Sequence, residues 1–176
     1  MATMQIFSFR SPRLNTRSMV FLALLMALEL VLARFSIGTE FLKVSPAFIA
    51  TALMGYYFGP WWAAGAAIIL DQVGFVLFGS GADFLGYTLS AAVAAAIYGI
   101  LFHDHSASIW RVVVATVLVI VLVNVVMGTW WLVLMGFDLK VILWPRVIKN
   151  LIELPIQAVL IYGVLKGVTA VRPSLA

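Results

Sequence analysis

The chain contains no cysteine, which excludes disulfides, thiolate metal sites and thiol nucleophiles. Charge is scarce as well, at 10% of residues. The two histidines flank one aspartate in His103-Asp104-His105. Three consecutive loop residues cannot all face one ion as helix-spaced ligands do, so the triplet reads as a solvated polar loop rather than a metal site. With both histidines there, no nucleophile, histidine and acid coincide inside an apolar segment, which argues against an intramembrane hydrolase. No phosphate loop of the GxxxxGK[ST] kind occurs, and Gly79-Ser80-Gly81 with Gly86 lacks dinucleotide-binding spacing and context. The chain is therefore expected not to be an enzyme and to carry no cofactor and no metal. A cleavable signal is not expected either: Arg10, Arg13 and Arg17 precede the first apolar run, and no small-residue cleavage site follows a short apolar core.

What is present is apolar. Of 176 residues, 64% are hydrophobic, and the mean hydropathy of +1.12 points to a polytopic membrane protein. The net charge of +4 could suggest nucleic acid, but the basic residues sit at segment ends and form no clustered face. Membrane topology explains them better, so the bilayer is the expected partner and nucleic acid is not. Because ~20 residues cross the hydrocarbon, the apolar runs predict an all-α bundle of six transmembrane helices, near 18–34, 44–58, 61–78, 84–102, 110–135 and 142–169. Gly59-Pro60 and Gly79 to Asp83 are expected turns. The second and third spans are short, which predicts strong tilt or partial burial by partners. The whole chain, 1–176, is expected to be a single membrane domain, with 1–17 as a basic tail. With the N-terminus inside, Arg10, Arg13, Arg17, Arg111, Lys166 and Arg172 fall on the cytoplasmic side, against Arg34, Lys43 and Lys140 outside. That bias favours both termini in the cytoplasm.

Within this grease one stretch is polar at helical spacing. Arg146, Lys149, Asn150, Glu153 and Gln157 recur at i, i+3, i+4, i+7 and i+11, one narrow face of the last span. Pro145 suits the first position of that helix, and Pro155 predicts a kink or locally opened backbone. A polar stripe in a membrane span is expected to face the bundle interior and to be functional. Glu29 and Asp71 lie about eleven residues into their spans, near mid-membrane at ~1.5 Å per residue. Tyr87, Thr88, Ser90, Asn124, Thr129 and Trp130 fall in the outer half. Polar groups thus converge on a pocket that opens outward and stops halfway, unlike a through-pore. The outward N-terminus of the last span, with Arg146 and Lys149, draws an anion. Deeper, Glu153, Asp71 and Glu29 offer acceptors for amino and ring N–H groups, while Phe75, Phe78, Trp130 and Trp131 offer flat faces. The implied ligand is elongated, anionic at one end and a hydrogen-bonding heterocycle at the other. The plainer alternative is that Arg146, Lys149 and Glu153 pair with one another, or with Asp71, as internal glue.

The first span carries a second message. Ala23 and Ala27, four residues apart, make a small-residue face that lets another helix approach closely. Glu29 lies about 200° from Ala27, so a Glu29 in the pocket sends the alanines outward, towards a partner. Arg34 projects near the alanines and reaches the pocket only if the helix ends or bends around Phe35-Ser36.

These segments, taken in order, carry a family resemblance: ALLMA in the first span, then ARFSIGTEFLKVSPAF, LMGYYFGP, LDQVGF, GYTLSA with IYGIL, GTWWL, and PRVIKNLIELPI. The sequence resembles, from about Ala23 to Gly163, the substrate-binding S components of energy-coupling factor (ECF) vitamin transporters, specifically the folate-specific ones. The resemblance implies a multi-pass protein of the bacterial cell membrane that binds folate from outside. It implies as partners a transmembrane coupling protein, contacted through Ala23 and Ala27, and two ATPase subunits, with delivery by toppling of the S component. Substrate-binding candidates are Arg34, Lys43, Asp71, Gln72, Phe75, Tyr87, Thr88, Thr129, Trp130, Arg146, Lys149, Asn150 and Glu153. The folate carboxylates are expected near Arg146, Lys149 or Lys43, and the pterin near Phe75 or Trp130. The alternatives are an S component for pantothenate, thiamin or riboflavin, a small membrane-embedded enzyme, which needs no ATPase in trans, and a passive channel, which conducts ions alone.

Overall fold

The computed structural model describes residues 8–36, 45–78, 84–106 and 108–171. Among them all regular structure is helical. Helix α1 runs Thr16–Arg34, two residues earlier than expected. Asn15 sets that start: its side chain accepts from the Ser18 backbone N–H at 2.8 Å, and its own N–H donates to Ser18 Oγ at 2.8 Å, a reciprocal capping box.

Helix α2, Phe48–Phe78, joins the two spans expected on either side of Gly59-Pro60 with no loop between them. Gly59 breaks it, with φ 72° and ψ −178°, a conformation that favours glycine. The break reverses the chain. In one straight helix Ala47 and Asp71 would stand about 36 Å apart, yet both line a single cavity. Arms 48–58 and 60–78 therefore run back along each other, and Pro60 opens the second arm, where its missing N–H is harmless. The count is accordingly five helices long and apolar enough to cross a membrane among the described residues, not six. That count takes α2 once, although its two arms run in opposite directions and each passes along the bundle.

Helix α3, Leu85–Phe102, packs into this hairpin. A Cβ on Gly99 would come within 2.5 Å of Pro60 Cα, and one on Gly55 within 2.7 Å of the Gly99 nitrogen, so the backbones touch where no side chain fits. Gly99→Ala must push backbone aside and is expected to cost about 1–3 kcal/mol or more. A lowered unfolding midpoint in detergent would register it, and an unchanged midpoint would contradict this packing.

The fourth span is one helical rod in three parts: α4 Ile109–Leu118, a π-helical stretch Val119–Met127, and α5 Gly128–Leu134. Helix α6, Leu139–Val171, begins earlier than expected because Asp138 starts it, its carboxylate accepting from the Lys140 N–H at 2.9 Å. Pro145 is therefore inside α6 and not at its first position, and the helix continues through Pro155.

The outward faces are what lipid requires: Ile69, Val76, Val126, Leu151 and Val159 are each more than half exposed. At the end of the bundle bearing Gly59, residues 8–12 strap across the hairpin turn. Ser8 N–H donates to Ile100 O at 2.9 Å, Trp61 Nε1 to Phe9 O at 3.2 Å, and Trp62 Nε1 to Pro12 O at 3.0 Å. The His103 loop departs from the solvated loop expected. His103 is buried, with Nδ1 3.0 Å from Tyr56 O, because it closes the end of α3 against the first arm of α2.

Candidate functional site

A cavity of about 590 Å³ opens between α1, Ala47 just before α2, the second arm of α2 and α3, within the range of small-molecule sites. Its polar lining is Glu29, Arg34, Ser36, Asp71 and Tyr87, and its aromatic lining adds Phe75, Phe78 and Phe84. Arg34 reaches it because α1 ends there, Phe35 being the cap residue and Ser36 itself a lining residue. The Arg34 guanidinium stacks over the Phe78 ring at 3.7 Å.

Both carboxylates are oriented by hydroxyls. Thr51 Oγ1 donates to Glu29 Oε2 at 2.9 Å; Thr88 Oγ1 donates to Asp71 Oδ2 at 2.6 Å and accepts from Gln72 Nε2 at 2.8 Å. Gln72 and Thr88 are thus one layer behind the cavity, holding Asp71. Contacts set the register of α1 on the second arm of α2: Leu30 faces Gly74 and Arg34 covers Phe78, so Glu29 falls level with about residue 73, near Asp71. Phe75 follows towards the mouth, then Phe78 with Arg34. Along the cavity the order is a cation, then rings, then two carboxylates.

Helix α3 forms the wall. At 100° per residue Tyr87 and Ala91 project within about 40° of each other into the cavity, Thr88 turns to one flank and Ser90 to the other. On that other flank Trp131 donates from Nε1 to Ser90 Oγ at 2.9 Å and meets Phe84 edge-on, centroids 5.5 Å apart. Neither Trp130 nor Trp131, both expected to offer rings, is among the described lining residues of the cavity. Trp130 is 63% exposed and faces outward, whereas Trp131 supports the wall.

The α6 stripe does turn inward, since Asn150, Glu153 and Gln157 are 2%, 6% and 4% exposed. None of them, however, is among the described lining residues of the cavity. Lys149 Nζ sits 2.8 Å from Glu153 Oε2, and Gln157 Nε2 donates to Glu153 Oε1 at 2.7 Å, a buried chain along one helix face. Lys149 and Glu153 also border an apolar groove with Trp144, Ile148, Ile152 and Ile156. Arg146 Nη2 donates to Asn124 O at 2.7 Å within the π-helical stretch, and its guanidinium lies against Gly128, where a Cβ would collide with it. Thr129 Oγ1, Asn150 Oδ1 and Arg146 Nε are buried without a hydrogen-bond partner among the described residues. The expected convergence of α6 with Asp71 is corrected accordingly: among the described residues the cavity is lined from Ala47 and α1 to α3, and its cation there is Arg34. Lys43 lies outside the described residues. Among those residues no cluster of three metal-ligating side chains occurs.

Ala23 and Ala27 are exposed on the face of α1 turned away from the bundle, as their phase to Glu29 requires.

Comparison with known proteins fits this architecture. A protein of Leuconostoc mesenteroides named folate transporter FolT is 41% identical over 89% of this chain and 88% of its own. One of the same name from Clostridium novyi is 41% identical over 85% and 88%. A crystal structure of FolT bound with folic acid superposes with a TM-score of 0.83 at 38% identity, covering 87% of this chain and 95% of that one. The family described as ECF transporter, substrate-specific component, matches residues 17–165, and the chain belongs to that family of membrane-embedded, non-enzymatic transporter subunits.

Proposed function

We propose that this chain binds folate from the external side of the membrane and delivers it inward when docked on a coupling protein served by two ATPase subunits. The observation that carries the reading is the order of groups along one blind cavity: Arg34 at the mouth, rings between, Asp71 and Glu29 at the floor. Folate has the complementary order, glutamate carboxylates, an aromatic linker, and a pterin whose amino and ring N–H groups need acceptors. Three roles follow. Arg34 meets the glutamate, Phe75, Phe78, Phe84 and Tyr87 enclose the rings, and the carboxylates take the pterin. Arg146, held on Asn124 O, ties α6 to the π-helical stretch. Both termini lie in the cytoplasm, which puts the strap and Gly59 turn inside and Arg34 outside.

A blind cavity needs an external drive, and the exposed Ala23 and Ala27 offer a lipid-side surface on which a coupling helix can lie close. Ala27→Trp is expected to leave folate binding to the purified chain unchanged and to reduce ATP-dependent uptake in proteoliposomes to background. Uptake by the chain alone, without coupling protein and ATPases, would contradict the reading. Tight binding of thiamin, riboflavin or pantothenate in place of folate would keep the carrier and replace its cargo.

A further inference from the structure

Arg146 is a half-buried cation in an apolar bundle, with no ion-pair partner among the described residues. Its Nη2 donates instead to a backbone carbonyl, Asn124 O, at 2.7 Å. Carbonyls do hold charged side chains inside membrane spans, but in an α-helix each carbonyl already has its donor four residues on. Here that donor is turned elsewhere. Asn124 lies in the π-helical stretch Val119–Met127, and the Gly128 N–H, which an α-helix would give to Asn124 O, goes to Val123 O, five residues back, and to Val125 O. Arg146 thus stands on the acceptor that the α register would use. Gly128 makes room for it: this residue is buried, and a Cβ there would collide with the Arg146 guanidinium.

The register decides where later side chains point. A π turn that tightens to α shifts every residue after it by one position, about 100° around the axis. Trp131 follows closely. In the present phase its Nε1 donates to Ser90 Oγ at 2.9 Å, and its ring lies against Gly86 and edge-on to Phe84, a lining residue of the cavity. Turned by about 100°, the ring leaves all three. We infer that Arg146 is a positioning residue: by holding Asn124 O it keeps the π register, and that register sets Trp131 against α3 behind the cavity wall. The role does not depend on what the cavity holds; the folate reading enters only through the affinity readout of its test.

The test reads the indole N–H resonance of Trp131 in the isotope-labelled full chain, assigned as the one lost in Trp131→Phe, beside titration with folate. Arg146→Met keeps a long side chain but has no donor. It is expected to move that resonance, as the bond to Ser90 is lost, and to weaken folate binding by about tenfold, the scale on which residues remote from a ligand act. Arg146→Lys retains a donor on a long stem and is expected to restore both readouts, the affinity to within about threefold of wild type. Gly128→Ala, which displaces the guanidinium, is expected to reproduce Arg146→Met, and the two together to do no more than either, because both release the same carbonyl. A Trp131 resonance unmoved by Arg146→Met overturns the positioning role, and with lost affinity it makes Arg146 a ligand contact. Additive effects of Gly128→Ala and Arg146→Met overturn it as well. Absence of folate binding by the wild-type chain overturns the folate reading instead and leaves the resonance to decide the role of Arg146.

Discussion

Replacing Glu29 with alanine is expected to weaken folate binding by about 100-fold. In the folate reading its carboxylate takes pterin N–H donors, and a charge-assisted pair of hydrogen bonds contributes about 3 kcal/mol, or two powers of ten. Its position supports so large an effect. Thr51 fixes the side chain at 2.9 Å, so the carboxylate is already oriented before a ligand arrives. Dissociation constants measured by titration, with the unfolding midpoint as a control, decide it. A loss below about threefold with the fold intact would mean that Glu29 serves helix packing and not the ligand.

The second large effect concerns stability. Glu153 is 6% exposed and its charge is matched by Lys149 at 2.8 Å. Lys149→Met leaves that carboxylate buried with only the Gln157 amide, and breaking a buried pair from one side costs about 3–5 kcal/mol. Thermal unfolding in detergent should show a marked drop in midpoint, and Lys149→Met with Glu153→Leu should recover much of it, since two apolar residues replace the pair without stranding a charge. Folate affinity of the folded fraction is expected to stay within about threefold. An unchanged midpoint with lost affinity would move Lys149 and Glu153 back into the ligand site, as spacing alone suggested.

That pair shows what was legible in the sequence and what was not. The α6 stripe stood out because its polar residues interrupt an otherwise apolar span, and its inward face was readable from period alone. Its partners were not, because pairing along one helix and binding across a cavity use the same residues at the same spacing. The reversal at Gly59-Pro60 was legible as chemistry, a glycine free to take positive φ before a proline suited to a helix start. Its tightness, which merges two spans into α2, depends on the bare backbones of Gly55 and Gly99 meeting, a contact between distant segments. Trp130 and Trp131 could be named as candidate rings, but which of them turns inward could not be told. VIVLVNVVM gives no face to set a phase, and its π-helical turns shift whatever follows. Glu29 was visible as a lone acid in the first span, whereas Arg34 entered the cavity through a helix end that no spacing rule places to the residue.

The central claim is that this chain by itself, without nucleotide, grips folate in the cavity between α1, α2 and α3. The most direct measurement is titration of the purified protein with folate in detergent or nanodiscs in the absence of ATP and of any other subunit. Saturable one-to-one binding, weakened by Glu29→Ala and by Arg34→Ala and indifferent to ATP, is the expected result. No binding by a folded chain, or binding untouched by both substitutions, would contradict it.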